Sequence, residues 1–174
     1  METWQTISTR RSIREFTNEP VPAQSIQKML TAASMAASGG NLQAWSFLVV
    51  QDPHRLQMLG ALAPGIIGKP QAVFVLCIDI SQENPEKDPW SFQYMSMSLG
   101  AAMQNLLLTA HDLGLGACPV ASFHQKAVQV LLNIPEHMLP FLLVAAGFPK
   151  YKPVAPARKE LDQICFAESW GKPL

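Results

Sequence analysis

Three guanidiniums and a hydroxyl fall within five positions at Arg10-Arg11-Ser12-Ile13-Arg14. In an extended segment side chains alternate, so Arg10, Ser12 and Arg14 share one side. Arginine forks take phosphate oxygens two at a time, and a serine hydroxyl fills a third position. The competing reading is a solvated basic turn closing a helix, where cations suit the C-terminal dipole. Two further stretches stand out. Ser38-Gly39-Gly40-Asn41-Leu42-Gln43-Ala44 is a loop whose two glycines let the chain turn with positive φ. Lys150, Lys152, Arg158 and Lys159 gather among prolines in a tail-like segment from Pro149 onward.

The rest of the composition limits what these groups can serve. Of 174 residues, 48% are hydrophobic and 15% charged, against about 25% charged in an average soluble domain. So little charge implies that part of the surface is hidden in another chain. Lys+Arg and Asp+Glu both total 13, which leaves no global field for nucleic acid or an anionic membrane. No apolar run reaches the roughly 18 residues of a membrane span. Cys77, Cys118 and Cys165 are odd in number and widely spaced. That favours reduced thiols and a cytoplasmic location over a disulfide framework or a zinc site. Arg10-Arg11 is followed by no apolar core, which rejects a twin-arginine export signal.

Several chemistries are absent by motif. There is no Gly-x-Gly-x-x-Gly, no phosphate-binding Gly-x-x-x-x-Gly-Lys, no Gly-x-Ser-x-Gly and no His-x-x-x-His. His54, His111, His124 and His137 are scattered and read as surface or capping residues, and no metal site is expected. Cys118 has no base at a recognisable spacing and reads as small core filler.

The elements that must position the candidates follow from periodicity. A short helix covers 2–8, with Trp4 and Ile7 on one side. The next opens at Pro22 and runs to about Ala37, with Ile26, Met29, Leu30 and Ala33 at helical spacing. Residues 45–51 form a strand, and Asp52-Pro53 caps a helix through Leu62. The apolar run 72–80 is a strand covered on both faces. A long helix starts near Asp88-Pro89 and reaches Leu113. It is apolar on every side, hence buried all round, either centrally or against a two-fold partner helix. A short strand or turn at 117–120, a small helix at 124–132 and a core strand at 139–148 complete the order. This is α/β alternation on one layer of sheet, with a single domain spanning 1–174.

The order of motifs resembles the nitroreductase family of FMN-dependent oxidoreductases over nearly the whole chain. Arg10 to Phe16 resembles its N-terminal flavin motif, and Ala37 to Trp45 its Pro-Ser-x-x-Asn-x-Gln-Pro-Trp loop. Leu113 to Pro119 is similar to its helix-to-strand turn. Gly147-Phe148-Pro149 with Arg158-Lys159-x-Leu resembles its C-terminal signature. Ala37 and Ala44 depart from the pattern by replacing prolines. Ala121-Ser122 stands where Glu-Gly or Gly-Gly is common.

The resemblance implies an α+β fold: a mixed, mostly antiparallel sheet flanked by helices, in a dimer built around the long central helix. It implies a cofactor-binding set of Arg10, Arg11, Ser12, Arg14, Ser38, Gly39, Asn41, Gln43, Lys69, Ala121, Ser122, Arg158 and Lys159. Arg10 and Arg158, with Lys159, would grip the FMN phosphate. Ser12 and Arg14 would reach the ribityl chain and the pyrimidine edge, where Lys69 is a further candidate. The 38–43 loop would come from the opposite subunit, and the amides at Ala121-Ser122 would point at N5. The implied reaction is ping-pong: NADH or NADPH reduces FMN, leaves, and a nitroaromatic or quinone acceptor follows. No side-chain acid or base is required. Two alternatives share these residues: a flavin carrier or sensor without turnover, and an oxygen-dependent flavin-modifying enzyme.

Overall fold

A computed structural model describes all residues 1–174. Five helices and four strands alternate along the chain. They are α1 (Thr3–Thr9), α2 (Ala23–Ser34), β1 (Trp45–Val50), α3 (Pro53–Leu62), β2 (Ala72–Asp79), α4 (Ser91–Asp112), β3 (Gly116–Val120), α5 (Gln125–Leu131) and β4 (Met138–Gly147). The strands form one sheet in the order β1-β2-β4-β3, and every pair is antiparallel. A single parallel bridge, Ser12 to Ala117, extends the β3 edge and makes the arrangement mixed. The α+β architecture expected from the sequence is therefore present.

The central strand β2 sorts its side chains by parity. Phe74, Leu76 and Ile78 enter one core with Met29 of α2 and Met95, Leu99 and Leu106 of α4. Val73, Val75 and Cys77 enter the other with Leu59 of α3, Val128 of α5 and Leu143 of β4. Residues 72–78 are all buried, as the unbroken apolar run predicts. Phe74 is fully buried, and its truncation to Ala would cost about 3–5 kcal/mol. The β2–β4 register slips between Leu76 and Cys77, next to Pro140 of β4. Proline has no N–H for the ladder, so a bulge there is the expected accommodation.

Local chemistry explains most element ends. The Asp52 carboxylate accepts from Arg55 N at 2.8 Å with Pro53 at the first helical position. Asp88 Oδ1 accepts from Trp90 N, and this turn delays α4 to Ser91, three residues after the expected start. The second helix ends at Ser34 instead of about Ala37, as Met35 N closes the last turn onto Thr31 and Ala32. The doubtful 117–120 segment is a strand.

One expectation fails inside the protomer. Helix α4 is not buried all round: Tyr94, Met97, Ala101 and Gln104 form an exposed stripe at helical spacing, with Met97 63% exposed. Trp4 and Ile7 of α1 are exposed as well. The accessible area is 10526 Å², whereas area scaling gives about 8400 Å² for a compact monomer of this mass. No helix is long and apolar enough to cross a membrane.

Candidate functional site

The basic segment lies along the β3 edge. Arg10 is the residue closing α1, its N–H bonded to Thr6 O. From there the chain is extended: Ser12 bridges Ala117, Ile13 N donates to Ala117 O at 3.1 Å, and Thr17 N donates to Phe148 O at 2.9 Å. Ile13 and Phe16 are buried and anchor the segment. Close approach of backbones fixes it further. A Cβ on Gly116 would sit 2.5 Å from Ile13 Cβ, and one on Gly68 would sit 2.1 Å from Arg14 O. Only glycine fits at either place.

The alternation separates neighbouring arginines. Arg10 lies near Arg158 and Cys118, and Cys118 in turn faces Ser12 and Arg14. Thus residues from the start, middle and end of the chain converge beside β3. Arg10 Nη1 is buried with no hydrogen-bond partner. Burial first, then Arg158 and Arg11, pull the Arg10 guanidinium below its usual pKa. None of Arg10, Arg14, Arg158 or Lys159 takes part in a salt bridge. A cationic cluster without a counter-charge, holding an orphaned buried donor, has the chemistry of an anion grip. Burial pushes the Cys118 thiol up against the opposing pull of Arg14, Ser12 and Arg10, so it stays protonated. Its role as core filler stands.

Arg11 points elsewhere. Its Nη1 donates to Ser8 O at 2.9 Å and Arg10 O at 2.7 Å, closing the end of α1. For this one residue the helix-closing contact is present, and its Nη1 is turned to the end of α1 instead of joining Arg10, Ser12 and Arg14. It borders a separate cleft with His111 and Lys152. Sequence reasoning missed that pair, because no local signal joins His111 to residues a hundred positions away.

The turn after β3 presents donors. Ala121 and Ser122 are exposed, and neither backbone N–H donates to a protein acceptor. Ser122 O accepts from Gly65 N at 3.1 Å and His124 N bonds to Leu62 O, so the turn is held by the 62–65 loop. That loop also forms a narrow cleft, in which Gly65 to Gly68 face Arg14, Phe16 and Cys118. Lys69 lines a different cavity, of about 490 Å³, with Gln51, Gln57 and Gln71. It does not join the cluster.

The glycine loop sits at the opposite end of α4. Gly39 approaches Tyr94 in the first turn of that helix, while Thr9 Oγ1 contacts His111 Nε2 in the last turn at 2.8 Å. Seventeen residues at 1.5 Å each separate these turns by about 25 Å. Ser38, Gly39, Asn41 and Gln43 are thus remote from Arg10 within one chain. The loop is self-bonded: Ser38 Oγ accepts from Gln43 N at 3.1 Å, and Leu42 N donates to Gly39 O. Gly40, Asn41 and Gln43 all have positive φ, near 56, 57 and 51°. For glutamine this is an uncommon, strained conformation.

Comparison with known proteins agrees with this architecture. The sequence profile of the nitroreductase family matches residues 7–75 and 62–148. A protein of Archaeoglobus fulgidus, provisionally named NADH dehydrogenase/NAD(P)H nitroreductase, is 34% identical over 150 residues, covering 83% of each chain. The FMN reductase (NADPH) of Bacillus subtilis is 29% identical over 163 residues, covering 84% of this chain and 66% of its own. The solved NfrA1 nitroreductase from B. subtilis superposes with a TM-score of 0.86 at 26% identity, covering 98% of this chain and 75% of that one. The chain belongs to the nitroreductase family, and it is an oxidoreductase.

Proposed function

We propose that the protein is a homodimeric FMN-dependent oxidoreductase that takes electrons from NADH or NADPH and passes them to a nitroaromatic, quinone or similar acceptor. The observation that carries this reading is the uncompensated cluster of Arg10, Arg14 and Arg158, with Arg10 Nη1 buried and unpaired. The residues present fit an FMN. Arg10 and Arg158, with Lys159, hold its phosphate; Ser12 and Arg14 take the polyol and the polar ring edge. Arg14 also places a fixed positive charge where reduction leaves negative charge. The free N–H groups of Ala121 and Ser122 orient the ring. When bound, FMN supplies the hydride chemistry. The protein's part is to bind and orient it and to exclude water, which accords with the lack of any acid–base pair.

The dimer completes the site. Arrangement of two α4 stripes antiparallel about a two-fold axis sets the glycine loop of one protomer over the arginine cluster of its partner. That brings together two groups which lie about 25 Å apart in one chain. The large accessible area and the apolar stripe support such a pairing. Names of relatives lend support too, since one is called FMN reductase (NADPH) and another NADPH-flavin oxidoreductase.

The test is direct. Purified protein reconstituted with FMN is expected to be yellow, with absorbance near ~450 nm, and to bleach when NADH or NADPH is added without oxygen. Colour that persists after both donors removes the reductase reading. Protein that cannot retain FMN removes the flavin reading altogether.

A further inference from the structure

Behind the arginine cluster, on the other side of the 10–16 segment, Thr9, Arg11, Ile13, His111, Gly114, Leu115, Pro149 and Lys152 enclose a cleft of about 160 Å³. Its three basic side chains come from the segment, the last turn of α4 and the C-terminal tail. Arg11 Nε is buried and has no hydrogen-bond partner, although Nη1 of the same guanidinium is engaged. Lys152 is in no salt bridge, and Asp112, the carboxylate that acts on His111, is paired with the Met1 amino group. Thr9 donates its only hydroxyl proton to Gln5 O at 2.6 Å, so His111 Nε2 is the donor in the Thr9–His111 bond. Desolvation comes first, then Lys152, Arg10 and Arg11, in holding the His111 imidazole below its ordinary pKa, with only Asp112 opposing them.

The volume limits the guest. It equals about five times the ~30 Å³ share of one liquid water. Pockets for whole small molecules start near ~300 Å³. We propose that this cleft binds a single phosphate group, carried by inorganic phosphate or by a phosphomonoester. The Arg11 Nε–H and the Lys152 ammonium supply charge-assisted donors. The site is distinct from the cluster that holds Arg10, and it does not depend on the flavin reading.

The experiment is a calorimetric titration of the FMN-reconstituted protein and of the FMN-free protein with inorganic phosphate and, separately, with 2′-AMP. Binding in both forms is expected. Lys152→Gln and His111→Gln should each weaken it by roughly tenfold, which is about 1.4 kcal/mol. Proton NMR should show the His111 pKa rising when phosphate is added, a change that a merely structural histidine would not show. Tighter binding of 2′-AMP marks a nucleotide phosphate as the source, and tighter binding of inorganic phosphate marks the free ion. The inference is overturned if neither probe binds, if both variants bind as the parent does, or if FMN displaces phosphate. The last result would make the cleft part of the cofactor grip.

Discussion

The two ends of α4 are incomplete in opposite ways. At the N-terminal end, the 38–43 loop has its polar groups bonded to one another but holds three residues at positive φ, one of them a glutamine. At the C-terminal end the backbone of 10–16 is ordinary and extended, yet Arg10 and Arg14 lack counter-charges, and two buried nitrogens, Arg10 Nη1 and Arg11 Nε, lack partners. One end stores conformational strain and offers a preformed shape. The other stores electrostatic repulsion and offers charge. A helix of about 25 Å keeps the two ends from meeting in one chain, and in the proposed dimer each completes the other's site across the two-fold axis.

The charged end is tested by the largest expected effect. Arg10→Gln should raise the FMN Kd about 150-fold, through loss of about 3 kcal/mol of charge-assisted hydrogen bonding. The melting temperature of FMN-free protein should not fall, because a buried cation without a partner has been removed. Fluorescence titration and thermal melts read the two quantities. Gly68→Ala forces Arg14 O away from a Cβ that would lie at 2.1 Å. The expected loss is about 1–3 kcal/mol of stability in urea unfolding, with weaker FMN binding.

The α4 stripe between the two ends is tested by Met97→Lys. A lysine placed in the proposed α4 interface should weaken the dimer by about 2 kcal/mol, roughly thirtyfold in Kd. Sedimentation should show monomer appearing and FMN occupancy falling together. At the strained end, Gln43→Gly relieves positive φ and should raise stability of the protein by less than about 1 kcal/mol. FMN affinity should fall with the lost amide. The smallest effect is a pH dependence. His111 binds its proton less readily folded than unfolded. Stability of ligand-free protein should therefore decline as pH drops below about 6.5 toward the depressed folded value. His111→Gln should flatten that decline in melts recorded between pH 7 and 5.

The chain's local physics was readable in advance. The run Ala72 to Ile80 named the central strand, Asp52-Pro53 opened α3 at the right residue, and alternation put Arg10, Ser12 and Arg14 on one side. Tertiary placement was not. The helix-closing reading covered the whole basic run, but nothing in it singles out Arg11 as the guanidinium that closes α1, and nothing near Lys69 tells that it faces the glutamines of another cavity. The apolar circumference of α4 implied burial on all sides. It could not say which stripe would remain open in the protomer, because that depends on where α2 and the sheet pack. The position of the glycine loop at the far end of α4 is likewise set by the fold, so the motif pointed to the residues but not to their 25 Å separation.

Mixing two defective proteins tests the shared site most directly. One carries Arg10→Gln, the other Asn41→Ala with Gln43→Ala, and each alone should have little NADH-dependent reduction of FMN. After unfolding and refolding together, half of the dimers are hybrids with one intact site, so about a quarter of all sites recover. Activity rising to about a quarter of the parent's is the predicted result. A mixture no more active than the average of its two components would contradict a site built from opposite ends of two helices.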